Sequence, residues 1–155
     1  MSYNSISQGY NELHSQEQQK KLALIKHHFK VKKSDLLLDV GCGTGISSDF
    51  DCKVIGVDSS FEMLRQSKKQ KVLAFAEALP FKDKTFDIVV SVTAIHNFKN
   101  KKKALLEIRR VGKSRFVFTV LRKSRYHDSI SALVRKLFKV KTILIEDKDS
   151  IFFAT

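Results

Sequence analysis

The chain reads as an α/β protein built on a doubly wound, mostly parallel sheet, and three observations carry that reading. Short apolar runs of strand length alternate with segments whose apolar residues recur at helical spacing, the pattern of right-handed strand–helix–strand crossovers. The first such run ends in an acid and three closely spaced glycines, Leu36-Leu37-Leu38-Asp39-Val40-Gly41-Cys42-Gly43-Thr44-Gly45, which reads as a buried strand turning sharply into a ligand-binding loop. The chain closes on two strand-length runs separated by the polar turn Asp147-Lys148-Asp149, a hairpin that forces one antiparallel strand.

Taken in order, Ser15-Gln16-Glu17-Gln18 reads as a capping box opening a helix whose apolar face holds Leu22, Ile25 and Phe29. A strand at 36–40 follows, then only a short helix before a second strand at 53–58, a crossover trimmed below the ~20 residues of a dinucleotide-binding unit. Ser59-Ser60-Phe61-Glu62 is a second capping box, starting a helix to about Lys69, and Lys71 to Phe75 is a third strand. Asn100 caps a helix with Ala104, Leu105, Ile108 and Val111 on its inner face and Gly112 as its stop. Arg115 to Leu121 is a continuous apolar strand; Ile130, Leu133, Val134, Leu137 and Phe138 mark an amphipathic helix; Lys141 to Glu146 and Ser150 to Ala154 form the closing hairpin.

At 155 residues the chain is long enough for one proper core but too short for a core plus a separate substrate domain. It divides into an N-terminal cap segment and helix (1–33), a cofactor-binding core (34–121), and a helix with the C-terminal hairpin (122–155). No apolar run approaches the ~18 residues of a membrane span, and the start Met1-Ser2-Tyr3-Asn4-Ser5 is no signal peptide, so a cytoplasmic protein without membrane contact is expected. Two cysteines give neither a disulfide framework nor a metal-ligand cluster, so no metal is expected. The net charge of +13, from 29 Lys+Arg against 16 Asp+Glu, points to an anionic partner, nucleic acid first; biased genome composition or a hot habitat is the competing explanation.

The glycine spacing is G-x-G-x-G and departs from the dinucleotide pattern G-x-G-x-x-G. A pyrophosphate favours a loop with no carboxylate beside it, whereas Asp39, two residues before the first glycine, suits a cofactor carrying an ammonium group. S-adenosylmethionine carries one. With Leu38-Asp39-Val40-Gly41-Cys42-Gly43-Thr44-Gly45 the chain resembles the class I S-adenosylmethionine-dependent methyltransferases. Val54 to Leu64 is similar to that family's second strand, acid and following helix. Ala76-Glu77-Ala78-Leu79-Pro80-Phe81 and Thr85 to Ser91 resemble its loop and fourth strand, and Leu106 to Val111 the helix after it. The matches run in the family's order over roughly residues 36 to 121. The resemblance implies a Rossmann-like, seven-stranded sheet with S-adenosylmethionine as cofactor. Gly112-Lys113-Ser114 stands where the family commonly has Lys-Pro-Gly-Gly, on the face away from the cofactor.

By that resemblance Asp39, Gly41, Cys42 and Gly43 hold the methionine part, and Asp58, ending the second strand, accepts both ribose hydroxyls; the alternative for Asp58 is a helix N-terminal charge. Ala76 and Glu77 match the adenine loop, with Phe75 where many relatives carry aspartate. Ser59 and Met63 wall the adenine or are plain core, and Thr93 joins the cofactor set after strand four. Ligands of open α/β sheets sit beyond the carboxyl ends of the strands, so the acceptor is expected near His96 and Asn97, with Tyr10 and His14 closing over the site as an N-terminal lid or serving as ordinary packing, and against Arg122, Lys123 and Arg125, for which solvated loop charge is the alternative. His96 is the candidate base, packing being the alternative. An N-P-P-Y-type signature is absent, which argues against amide and adenine nitrogens as acceptors.

A bare catalytic core suits a large acceptor, so the expected enzyme methylates RNA or a translation component. A small-molecule methyltransferase and a non-catalytic cofactor-binding subunit are the alternatives. The margin strand Val72-Leu73-Ala74-Phe75 carries apolar side chains with little edge protection, and some translation-related relatives recruit a small zinc-binding activator there; an activator subunit or homodimer is expected at 72–75.

Overall fold

The computed structural model describes the backbone of residues 3–155 and the side chains from Glu12 onward. A single sheet of seven strands runs in the order β3-β2-β1-β4-β5-β7-β6. The strands are β1 (Leu36–Val40), β2 (Lys53–Asp58), β3 (Gln70–Leu73), β4 (Phe86–Ser91), β5 (Gly112–Leu121), β6 (Val140–Ile145) and β7 (Asp149–Ala154). The first five pair in parallel, and β7 is antiparallel to both neighbours. The expected doubly wound sheet with an antiparallel C-terminal hairpin strand is what forms.

Alternate residues of each strand feed two cores, as the period of two requires. Leu37, Val54, Ile88, Val90, Val117 and Ile151 face Leu22 and Ile25 of α1 (Tyr3–His28). On the opposite face Leu38, Val57, Val89, Phe116, Phe118 and Phe152 meet α3 (Lys101–Val111) and α4 (His127–Leu137) through Ala104, Leu105, Ile108, Ile130 and Val134. Strand order reverses between β1, which leads out to β2 and β3, and β4, which leads to β5. That reversal opens the crevice in which α/β ligands bind.

Several boundaries differ from the sequence reading. α1 passes straight through Ser15–Gln18 rather than opening there, because no proline precedes that serine and a capping residue permits a helix start without imposing one. α2 is one turn, Phe61–Leu64, capped by Ser60 rather than Ser59: the Met63 N–H donates to Ser60 Oγ at 3.3 Å. It stops well short of Lys69, since the residues after Leu64 are polar and give a longer helix no apolar stripe to bury. β3 ends at Leu73, leaving Ala74 and Phe75 outside the strand, and β5 begins at Gly112, which pairs with Phe86 directly from the end of α3. Asn100 does cap α3, accepting from the Lys103 N–H at 3.0 Å, and Gly112 ends it. Among the described residues no helix is long and apolar enough to cross a membrane, and no group of three or more His, Cys, Asp or Glu could hold a metal ion.

Candidate cofactor and acceptor site

Where the chain leaves β1 it must turn within a few residues to clear β2. Gly41 and Gly43 adopt left-handed backbone at φ 78° and 55°. A Cβ on Gly41 would meet the Ala94 Cβ at 2.5 Å, so this position needs glycine for packing as well as conformation. A Cβ on Gly43 meets only the mobile end of Met63, at 3.2 Å; its free side faces the cavity. The Gly41 and Cys42 N–H groups both donate to Val57 O, at 2.7 and 3.0 Å, tying the loop to the end of β2.

A cavity of about 650 Å³ lies over this loop at the carboxyl ends of the parallel strands. Gly41, Cys42, Gly43, Asp58, Ser59, Met63, Ala76, Glu77, Thr93, His96 and Asn97 all line it, and so does His14. The structure therefore brings together twelve of the residues read from the sequence. Asp58 lines the cavity, half-buried. Its Oδ2 accepts the Gly43 N–H and its Oδ1 the Ser60 N–H, each at 2.9 Å, which fixes the carboxylate while leaving lone pairs on both oxygens for a vicinal diol. A glycine cradle whose missing Cβ is open to the cavity, with a fixed carboxylate beside it, fits an adenosyl cofactor.

The loop carrying Ala76 and Glu77 is held from behind. Arg110 on α3 forks onto both oxygens of Glu107, at 2.8 and 2.9 Å, and donates to the carbonyls of Leu79 and Phe81 at 3.0 and 2.7 Å. Glu107 Oε2 also accepts the Leu79 N–H at 2.9 Å, and the Arg110 bonds hold its carboxyl below the usual range. Glu77 is itself committed, its Oε1 accepting the Asn100 N–H at 3.2 Å.

Other candidates lie elsewhere. Asp39 is fully buried behind the glycine loop and does not line the cavity; its Oδ2 accepts the hydroxyls of Ser47 and Ser48 at 3.0 and 2.6 Å. Burial, outweighing those two bonds and aided by the charge of Asp58, pushes its pKa up to about 6. Burial likewise raises the thiol of Cys42, which does line the cavity, to about 12, so it stays protonated. Arg122, Lys123 and Arg125 follow β5 at the expected end of the sheet but stay outside the cavity wall. The Arg122 guanidinium reaches Glu146 O at 3.5 Å, and Arg125 folds 4.7 Å over the Tyr126 ring. Lys101 approaches that ring at 4.1 Å. Tyr10 lies outside the residues whose side chains are described.

Sequence reasoning missed the cations that do reach the cavity: Lys21, Lys99 and Lys148. Lys21 had a readable signal, since His14, Glu17, Gln18 and Lys21 recur at helical spacing and run into the apolar stripe of α1. Lys21 is almost fully buried, ion-paired with Asp149 and bonded to Thr93 Oγ1 at 2.9 Å. Glu17 pairs in turn with Lys148. Thr93 itself holds a left-handed backbone, φ 51°, unusual for a β-branched residue, and its N–H donates to Thr119 Oγ1 at 2.7 Å. Beyond it, His96 carries a buried Nδ1 with no hydrogen-bond partner among the described residues. Burial, then the charges of Lys101 and Lys21, depress the His96 pKa, so the imidazole is neutral at physiological pH.

The sequence profile described as a methyltransferase domain matches residues 38–118, more than half of the chain. The chain belongs to the class I S-adenosylmethionine-dependent methyltransferases. This methyltransferase is 36% identical over 124 residues to an uncharacterized protein of Methanocaldococcus jannaschii, a match that covers 76% of the chain and 49% of that protein. It is 33% identical over 121 residues to the malonyl-[acyl-carrier protein] O-methyltransferase of Hamiltonella defensa, covering 72% of the chain and 46% of that enzyme. The chain thus spans about half the length of these curated relatives. Among solved structures, the Haloferax volcanii chain determined in complex with the Trm112 methyltransferase activator superimposes with a TM-score of 0.79 at 15% identity, covering 96% of this chain and 94% of that one. The SAM-dependent methyltransferase of Aquifex aeolicus does so at 0.73 and 18% identity, covering 86% and 88%.

Proposed function

We propose that this methyltransferase acts on a large anionic acceptor, RNA or a translation component bound to it. The observation that carries the reading is the cationic acceptor end of the cavity. Lys99 is exposed in its wall together with Lys148, whose ammonium is paired with Glu17, and the Lys101–Tyr126–Arg125 stack follows on the Phe98 side, where Lys101 donates to Phe98 O. A phosphate backbone lying along this rim meets cations. S-adenosylmethionine supplies a methyl group already activated by a positive sulfur, so alignment of the acceptor provides most of the acceleration. Where the acceptor atom must lose a proton, neutral His96 in the cavity wall is the candidate base. Incubation with labelled cofactor and total cell extract tests the reading: label is expected in RNA or in an RNA-bound protein. Label confined to small molecules would replace it with metabolite methylation, and no label in any fraction would favour a non-catalytic binding subunit.

A partner subunit has its own observation. β3 pairs with β2 alone, and beside that open edge Leu73 is 56% exposed, Phe75 63% and Phe61 65%, in line with the expected activator or second copy at 72–75. The Haloferax volcanii neighbour, solved with an activator, supports this reading as a structural likeness.

A further inference from the structure

The cavity has two ends of different chemistry. Asp58, Ala76 and Met63 stand at one, suited to an adenosine; at the other, past Gly43 and Thr93, α1 presents Gln18 and Lys21. Lys21 is the cation of that end with almost no solvent exposure: its side chain is 2% exposed and that of its partner Asp149 is 0%. An ammonium has three donors. One is directed to Asp149 and one to Thr93 Oγ1, which among the described residues leaves one N–H without a partner on a residue that forms part of the cavity wall. Docking α1 alone does not require this arrangement, because a buried ion pair stabilises a fold no better than apolar residues of the same volume. S-adenosylmethionine carries one anionic group, the carboxylate at the end opposite its adenine.

We propose that Lys21 binds the α-carboxylate of the cofactor, with Asp149 and Thr93 holding its ammonium in place. The pairing is charge-assisted and shielded from water, so it is strong for a single contact. It also ties α1 to the occupied site, since the helix then contributes directly to the cofactor's binding. This rests on S-adenosylmethionine as cofactor and is independent of the acceptor.

The test compares S-adenosylhomocysteine, which has the carboxylate, with 5′-methylthioadenosine, which keeps the adenosyl group and lacks the amino-acid part. The variant is Lys21→Met with Asp149→Asn, which removes both charges together and leaves no unpaired buried ion; thermal melting confirms folding. Calorimetry is expected to show affinity for S-adenosylhomocysteine reduced about tenfold to a hundredfold, as for a lost hydrogen bond between charged groups, with methylthioadenosine binding unchanged. Unchanged S-adenosylhomocysteine binding would overturn the proposal, including the case where only the KM for the acceptor rises. An equal loss for both ligands would overturn it too, by showing a purely structural role. Wild-type protein that bound neither ligand would refute the cofactor assignment itself, and the proposal with it.

Discussion

Asp58→Ala isolates the adenosyl half of the site. In the folded protein the carboxylate is fixed by two N–H donors at 2.9 Å, from Gly43 and Ser60, so its orientation is settled before any ligand arrives. Two ribose hydroxyls donating to a pre-oriented charged acceptor contribute about 1.5–3 kcal/mol, the range for hydrogen bonds to charged groups. Removing the carboxylate also releases the Gly43 N–H and loosens the loop, which places the expected loss toward the upper part of that range. That is roughly a 10- to 150-fold weaker Kd for S-adenosylhomocysteine by calorimetry. Methylthioadenosine shares the ribose, so its Kd should weaken by the same factor. Asp58→Asn is not conservative here, because its amide NH2 would face either the Gly43 or the Ser60 N–H, donor against donor; it should weaken both ligands as well. A folded Asp58→Ala protein with wild-type affinity would refute the assigned ribose site.

Three further outcomes are expected. Gly43→Val puts a branched side chain at φ 55° on the open side of the loop; it should abolish S-adenosylhomocysteine binding and lower Tm only modestly, and measurable binding would show that the cofactor does not cross this loop. Asp39 has a folded pKa of about 6 against an ordinary 3.8, so the folded state binds the proton more tightly and stability falls as pH rises through that window. Asp39→Asn should remove that slope and gain on the order of 2–3 kcal/mol above pH 6, since the amide oxygen still accepts from Ser47 and Ser48; denaturant unfolding at pH 4 and pH 8 checks it. Leu73→Lys, placed on the open edge of β3, should abolish activation by a partner or dimerisation while leaving cofactor affinity intact, and a fully active monomer indifferent to the substitution would remove the edge from consideration.

The order of elements, the glycine loop and the position of Asp58 were legible in the sequence because each depends on neighbours within a few residues. Strand alternation, the Asn100 cap and the G-x-G-x-G turn are local chemistry. Element lengths were less legible, and α2 shows why: Ser60 starts a helix, but only a buried apolar stripe sustains one, and burial is a tertiary property.

Charge was the least legible feature. Apart from the helical spacing of Lys21 with His14, Glu17 and Gln18, Lys21, Lys99 and Lys148 read in the chain like any of its 29 basic residues, as do Arg122, Lys123 and Arg125. The first three reach the cavity and the last three do not. Lys21 meets Asp149 because α1 packs across the sheet face on which β7 inserts antiparallel between β5 and β6, so a partner from the far end of the chain arrives beside it. Asp39 shows the reverse case: its place in the motif suggested a ligand contact, yet a strand presents its side chains to alternate faces, and this one turns into the fold toward Ser47 and Ser48. The sequence by itself determined that a methyl-donor fold forms around this loop. Which charged groups face the cavity was decided by the packing of helices on the sheet, because distance in space, and not spacing along the chain, sets which charges meet.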